Sequence, residues 1–424
     1  MTTRALGYAA IPQEAPTRRT PWLSGVTMFM VVMTPVLAYL APLGFAPLMA
    51  LVGLLALPGL RGTREAAPPL LILVVLALWA AISMTWSPAA IDPTTLKKYG
   101  DVETLTALKL FLQLATYGAA VVALRGVSEA GAKRAATVLA YGMAALAVLA
   151  VIDALSGAAI YQKLHAVTGE AIRPDIAMVK VSLSTYALAL LFWPVSLILT
   201  RIGAPRLVLL LLIGGTIATS ALCSSDACLV ALAGGGVVWL LVRTFGRNGA
   251  KVLVGLVAAP FVLAPLALLI GVETGVVAWL HKLVPASWDQ RLNIWTFAAD
   301  HIQNHPFRGW GLDASRTFGS AIPLHTHNAE LQLWLELGAI GAALAGVFFC
   351  WLAYGVVRIS ERSRGEAAMA AAALVSYLVI GGLSFGIWQE WWLGLGALTL
   401  IACGLARATP EPDWTHLDEL TPLG

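Results

Sequence analysis

Long apolar blocks recur along this chain, and they constrain its fold more than any other feature. An α-helix that crosses a bilayer needs about 20 mostly apolar residues. Blocks of about that length lie at residues 22–40, 42–60, 69–87, 105–124, 133–153, 181–200, 205–223, 226–243, 251–272, 328–355, 366–387 and 390–406. They are continuous rather than alternating, which argues against a transmembrane β-barrel. The sequence therefore predicts an all-α polytopic membrane protein with about 12 transmembrane helices.

Composition agrees with this fold class and excludes several functions. Only 12% of the residues are charged and the mean hydropathy is +0.80, whereas about 25% of a soluble domain is charged. No basic patch interleaved with aromatic residues is present, so we expect no nucleic-acid partner. The four cysteines lie in or beside apolar blocks without CxxC spacing, which favours buried thiols over a disulfide or a metal site.

The basic residues predict how the helices are oriented. Most of them fall in short connections that would share the side of the N-terminus, which is therefore the cytoplasmic side. The predicted organisation has cytoplasmic tails at 1–21 and 407–424, nine spans within 22–272 and three more within 328–406. The outer face then receives loops 88–104 and 154–180 and a large loop at 273–327, between spans 9 and 10.

The large outer loop contains a predicted amphipathic helix at 287–304. Leu292, Trp295 and Ile302 recur there at helical spacing, and Ser287 with Gln290 has the spacing of a capping box. Arg291 shares the face of Trp295. Two interpretations of Arg291 stay open, a cation at the membrane interface and a phosphate-binding arginine.

A His-Thr-His-Asn cluster at 325–328 ends this loop, directly before an apolar block. Thr326 is the predicted N-cap of the next helix, which would place His327 in its first turn. A helix N-terminus disfavours protonated histidine, so His327 would stay neutral and could accept a proton. Glu330 follows three residues later, as a partner of that imidazole or as a solvated acid. The His325 and His327 spacing does not favour a metal, because the two would lie on different faces and no third ligand cluster is present.

The spacing of His327-Asn328, nine residues, Gly338, two residues and Gly341 fits the pattern H-[NSQ]-x9-G-x-x-[GTY]. It resembles that of the O-antigen ligases and the related O-antigen polymerases and bacterial O-oligosaccharyltransferases. The segments RLNIW and HPFRGWG resemble the large periplasmic loop of that superfamily. The resemblance implies a GT-C-like fold in the bacterial inner membrane with a periplasmic active site.

An O-antigen ligase is a glycosyltransferase of lipopolysaccharide biosynthesis. The resemblance implies transfer of O-antigen from undecaprenyl pyrophosphate to lipid A–core oligosaccharide, with inversion and without a metal, a nucleotide or another cofactor. Its partners would be that lipid-linked glycan, the lipid A–core acceptor and membrane lipids.

The resemblance also implies roles for single residues. His327 is the expected general base and Arg291 an expected pyrophosphate ligand. The supporting residues would be His325, Asn328 and Glu330. Relatives often carry Ser-Arg where Ser224-Ser225-Asp226 stand here, so a second cation would come from Arg173, Lys180, Arg308 or Arg316.

Related and unrelated functions remain as alternatives. An O-antigen polymerase or a protein O-oligosaccharyltransferase shares the donor but uses another acceptor. A lipid-linked glycan flippase, which is a transporter, would also bind pyrophosphate, but its cations would line a cavity within the spans. Gln389 and Glu390, in the last outer turn, are candidate contacts for acceptor sugars.

Overall fold

The structure, a computed structural model, describes residues 19–61, 66–90, 105–167, 169 and 171–409. These residues form fifteen α-helices joined by turns and short 3-10 segments. The helices are α1 Arg19–Leu40, α2 Phe45–Ala56, α3 Ala67–Ser83, α4 Thr106–Ala123, α5 Glu129–Leu155, α6 Ala159–Val167, α7 Pro174–Arg201, α8 Arg206–Leu222, α9 Asp226–Phe245, α10 Arg247–Glu273, α11 Val276–Leu280, α12 Ala286–Ile302, α13 Ala329–Ser360, α14 Arg364–Ser384 and α15 Glu390–Ala408.

Each predicted apolar block corresponds to one helix, which confirms an all-α polytopic membrane protein. Among the described residues, ten helical segments are long and apolar enough to cross a membrane. Helices α3 and α8 are apolar but have only 17 residues each. The count of twelve crossings therefore stays a prediction.

Two large cores hold the helices together. One joins α1, α2, α4, α5, α7 and α15, and the other joins α3, α9, α10, α13 and α14. The outward faces are also apolar, with Leu71, Val237 and Val262 each more than 60% exposed. Contiguous apolar exteriors of this kind fit contact with lipid, because a soluble monomer rarely exposes large apolar patches.

Both sets of helix ends gather in the way that alternating crossings require. At the ends predicted to be cytoplasmic, Glu366 of α14 binds Arg201 of α7 at 2.8 Å and Arg407 of α15 at 3.0 Å. At the opposite ends, Lys109 of α4 binds Glu390 of α15 at 2.6 Å. The start of α14 thus lies beside the ends of α7 and α15, and the start of α15 lies beside the start of α4. Which of the two faces is cytoplasmic stays a prediction.

The predicted outer loops contain more helix than the sequence indicated. Loop 154–180 holds α6 and the first turns of α7, and the large loop holds α11, α12 and two 3-10 turns. Helix α12 lies where the sequence predicts an amphipathic helix. The capping box predicted at Ser287 is wrong, because α12 begins after Pro285 without a side-chain cap. Most of loop 88–104, together with 1–18 and 410–424 of the predicted tails, lies outside the described residues.

A third, smaller core seats α12 on the first turns of α13. It is formed by apolar side chains of both helices, among them Leu292, Trp295, Leu331 and Leu335. The indole N–H of Trp295 also donates to the carbonyl of Thr326 at 2.9 Å. Helix α12 is thereby fixed against the histidine cluster, which sets the position of Arg291.

Candidate active site

Asn328, not Thr326, caps the helix that follows the histidine cluster. The Asn328 side chain accepts a hydrogen bond from the Leu331 N–H at 2.8 Å, and α13 begins at Ala329. Asn is at least as good an N-cap as Thr, and the Thr326 hydroxyl instead donates to the Asn328 carbonyl at 2.7 Å. The prediction that His327 lies in the first helical turn is therefore wrong. His327 precedes the cap and has a left-handed backbone, with φ at +54°.

The imidazole of His327 faces the end of α14. Its Nδ1 lies 3.0 Å from the carbonyl oxygen of Ser384. A carbonyl can only accept, so Nδ1 carries the proton and the Nε2 of the neutral ring keeps a free lone pair. Burial and the charge of Arg291 lower the pKa of His327 against the raising effect of the Ser384 carbonyl. The sequence predicted a neutral His327 because of a position at a helix N-terminus. In the structure the causes are burial and the charge of Arg291 instead.

Arg291 approaches the same helix end from α12. Its Nη1 donates to the carbonyl of Leu383 at 2.7 Å, and its guanidinium lies 5.3 Å from the centre of the Trp288 ring. The last carbonyls of a helix have no intrahelical partner and carry partial negative charge. The end of α14 therefore holds Arg291 and His327 through neighbouring carbonyls.

His325 is buried between His327 and Gln389. Its Nδ1 accepts from the backbone N–H of His327 at 3.0 Å, and its Nε2 lies 2.9 Å from Nε2 of Gln389. Burial lowers its pKa to about 3, with smaller contributions from His327, Arg316 and Arg291. The two imidazole rings lie 4.1 Å apart, yet only His327 keeps a ring nitrogen free.

The structure places the other four predicted cations in different parts of the molecule. Arg316 lines one cavity with His325, and its Nε lies 3.5 Å from Oδ1 of Asp313. Arg173 pairs with Asp175 at 2.9 Å, and Arg308 lies over the Trp86 ring at 5.6 Å. Lys180 lies within α7 rather than in a loop. None of these last three has a contact with the histidines among the described residues.

Glu330 does not act as the predicted partner of His327. Glu330 is the second residue of α13. Its side chain points into the helix bundle, where it lies beside Gly382 and lines a small cavity with Tyr377. The hydrogen bond of the His327 ring goes to Ser384 instead. Glu330 is only 4% exposed, so the alternative of a solvated acid is also wrong.

A break in α13 receives the outer segment 306–311. Gly338 has φ at +65° and ψ at −166°, a conformation that is essentially restricted to glycine. Four backbone hydrogen bonds join the segment to the break: Trp310 N to Leu335 O at 2.9 Å, Gly311 N to Glu336 O at 2.7 Å, Ala339 N to Pro306 O at 2.8 Å and Ile340 N to Phe307 O at 3.4 Å. Gly338, the first glycine of the sequence motif, thus allows the HPFRGWG segment to pack on α13.

A buried carboxylate beside this break was not singled out from the sequence. Glu336 is 0% exposed and accepts hydrogen bonds from the Trp388 indole at 2.6 Å, the Gln332 amide at 2.9 Å and the Asp313 N–H at 3.1 Å. It therefore ties the outer loop to the turn between α14 and α15. An acid within an apolar span is a signal that could have identified it.

An open cavity of about 390 Å³ adjoins His325. Its lining includes His325, Arg316, Trp388, Gln389 and the Lys109–Glu390 ion pair. Aromatic faces, an amide and charges of both signs provide stacking and hydrogen-bonding groups. Gln389 and Glu390 thus lie at a cavity next to His325, as a contact with an acceptor sugar would require.

The part of the chain that contains the histidine cluster is similar to a described family. Residues 207–346, which include both histidines and both motif glycines, match the family model described as O-Antigen ligase. A "Putative polysaccharide ligase" of Rickettsia conorii is 33% identical over 138 residues, which cover 29% of this chain and 32% of the relative. Its counterpart in Rickettsia prowazekii is 32% identical over 139 residues, again 29% of this chain and 33% of the relative. The chain thus aligns with about a third of the length of these relatives.

Proposed function

We propose that this chain, which matches the O-antigen ligase family model over residues 207–346, belongs to that superfamily and transfers a lipid-linked glycan to an acceptor saccharide. One observation carries the proposal. The end of α14 holds His327 by Nδ1 at 3.0 Å and Arg291 by Nη1 at 2.7 Å through adjacent carbonyls. A proton acceptor and a cation are thereby fixed side by side, as attack by a hydroxyl on a glycosyl diphosphate requires.

The reaction is a single displacement in this proposal. The acceptor hydroxyl donates a hydrogen bond to Nε2 of His327 and attacks the anomeric carbon, and its proton passes to Nε2. The bond between the anomeric carbon and the diphosphate oxygen breaks, and its electron pair stays on the departing polyprenyl diphosphate. Attack from the face opposite the leaving group inverts the anomeric centre.

Arg291 and Arg316 are the cations best placed for the leaving group. Both act electrostatically on His325, and Arg291 also acts on His327. Charge-assisted hydrogen bonds to phosphate oxygens are among the stronger polar contacts in proteins. Arg173, Lys180 and Arg308 remain candidates for binding the donor further from the reacting carbon.

We propose undecaprenyl pyrophosphate as the lipid carrier, lipid A–core oligosaccharide as the acceptor and the periplasmic face of the inner membrane as the location. The superfamily match supports the reaction class, and the clustering of helix ends supports the alternating topology. The proposed cytoplasmic and periplasmic segments are those predicted from the basic residues. No metal takes part in the proposed displacement, because the arginines supply the positive charge.

The test uses the full-length protein in lipid nanodiscs with undecaprenyl-diphosphate-linked glycan and lipid A–core. His327→Ala should lower transfer by at least about 100-fold, within the range for loss of a general base, while donor binding persists. The matched control is His305→Gln. This outer-loop histidine packs on Trp310, with ring centres 4.5 Å apart, so its replacement should leave transfer near normal. Near-normal transfer by His327→Ala would refute the assigned base.

Acceptor and transport assays separate the alternative functions. Transfer to a second lipid-linked glycan identifies a polymerase, and transfer to a protein identifies an O-oligosaccharyltransferase. Movement of the donor across the bilayer without a new covalent bond identifies a flippase. Any of these three results, with no transfer to lipid A–core, would overturn the proposed acceptor.

A further inference from the structure

We propose that His325 is a positioning residue that fixes the backbone of His327, and that Gln389 holds His325 in the tautomer this task requires. The inference rests on the proposed function, because it concerns how the general base is oriented. It assigns no proton transfer to His325 itself.

The backbone of His327 needs such support. Its φ of +54° lies in the left-handed region, which is unfavourable for residues other than glycine. The N–H of His327 donates to Nδ1 of His325 at 3.0 Å, so the side chain two residues earlier holds the turn. The same turn directs the His327 ring toward Ser384.

The hydrogen bond at Nδ1 determines where His325 carries its proton. A nitrogen that accepts from a backbone N–H has no proton of its own, so neutral His325 is protonated on Nε2. That Nε2 lies 2.9 Å from the Gln389 amide nitrogen, while Oε1 of Gln389 is buried without a partner. Rotating the amide by 180° brings Oε1 of Gln389 opposite His325, where it accepts from Nε2–H.

The surroundings of His325 keep it neutral. Burial contributes most to the low pKa of His325, and His327, Arg316 and Arg291 also disfavour a further positive charge there. Glu390 lines the same cavity, but its carboxylate is bound to Lys109 at 2.6 Å. A protonated His325 would carry a hydrogen on Nδ1 and could no longer accept from His327. Neutrality is therefore a condition of the positioning role.

Three substitutions of His325 test the role through single features of the ring. Asn places its Oδ1 near the position of Nδ1, so His325→Asn keeps the acceptor for the His327 N–H. Gln places its amide near Nε2 instead, and Ala provides neither group. We expect kcat to fall about 10- to 100-fold in His325→Ala and His325→Gln, the range for loss of a buried hydrogen bond. His325→Asn should stay within about fivefold of the wild type, and donor KM should change little in all three.

Gln389→Glu tests the tautomer. A carboxylate opposite Nε2 favours the imidazolium of His325 and thereby removes the acceptor at Nδ1. The acid limb of the pH–rate profile should then depend on two groups rather than on His327 alone, and activity should recover as the pH rises. Gln389→Leu lacks the charge and should lower kcat without adding a second ionisation.

A readout without catalysis completes the test. In the full-length protein with ¹⁵N-labelled histidine, NMR should show His325 neutral and protonated on Nε2 at pH 5, and His327 protonated on Nδ1 when neutral. Equal losses in His325→Asn and His325→Ala, or a His325 proton on Nδ1, would overturn the inference. An inactive wild type, or an active His327→Ala, would instead overturn the proposed function. The NMR result would then still decide the tautomer of His325, because it does not depend on catalysis.

Discussion

Replacing Gly338 by Ala should destabilise the outer half of the protein. A Cβ on Gly338 would clash with the Phe307 carbonyl oxygen and lie 2.6 Å from the Gly309 nitrogen, so the backbone of the docked segment has to move. The strained φ and ψ alone cost about 1–3 kcal/mol. Loss of two of the four backbone hydrogen bonds adds about 1–3 kcal/mol, for a total of roughly 2–6 kcal/mol.

Gly355 provides the matched control in the same helix. A Cβ there meets nothing within 4 Å, and alanine is the better helix former by about 1 kcal/mol, so Gly355→Ala should leave stability unchanged or slightly higher. The assay is denaturant unfolding in detergent micelles, followed by tryptophan fluorescence. Trp310 and Trp334 lie close to the break and report on it. Equal unfolding midpoints for Gly338→Ala and Gly355→Ala would refute the assigned role of the break.

Three further changes test the site by the same unfolding assay. Burial holds the pKa of His325 at about 3 against an ordinary value near 6.5, so the unfolded chain binds more protons between these values and stability falls as pH falls. The loss should be roughly 2 kcal/mol between pH 6.5 and 5, and a pH-independent difference between wild type and His325→Asn would contradict it. Asn328→Ala removes the cap of α13 and should cost about 1 kcal/mol, with Asn328→Ser restoring it; no recovery by Ser would argue against capping. Glu336→Gln replaces an acceptor oxygen by a donor and should cost about 1–3 kcal/mol, whereas unchanged stability would show that the carboxylate does not hold the outer loop.

The end of α14 connects fold and chemistry in this protein. Leu383 and Ser384 are the last two residues of an apolar helix, and their carbonyls have no partner within it. Arg291 and His327 occupy those acceptors from two other segments. A helix terminus thus orients groups whose reaction partners would be a diphosphate and a hydroxyl.

The fold class could be read from the sequence because its cause is local. An apolar block of about 20 residues satisfies its own backbone hydrogen bonds as a helix wherever lipid surrounds it. The same reasoning located α12 and the polar segment that precedes α13. It failed at Thr326, because the neighbouring Asn328 caps α13 instead, and at Ser287, because α12 begins after Pro285 without a side-chain cap.

The histidine cluster that precedes α13 was visible in the sequence, and the family resemblance implied that His327 and Arg291 serve one site. Only the tertiary structure decided which groups surround it. The partner of His327 is a carbonyl 57 residues later in the chain, and His325 meets Gln389, 64 residues later. Glu330, only three residues away from His327, turns elsewhere. Spacing along a chain determines which residues share a helix face, whereas contacts between helices depend on how separate segments pack, and that packing fixes the tautomers and charges of this site.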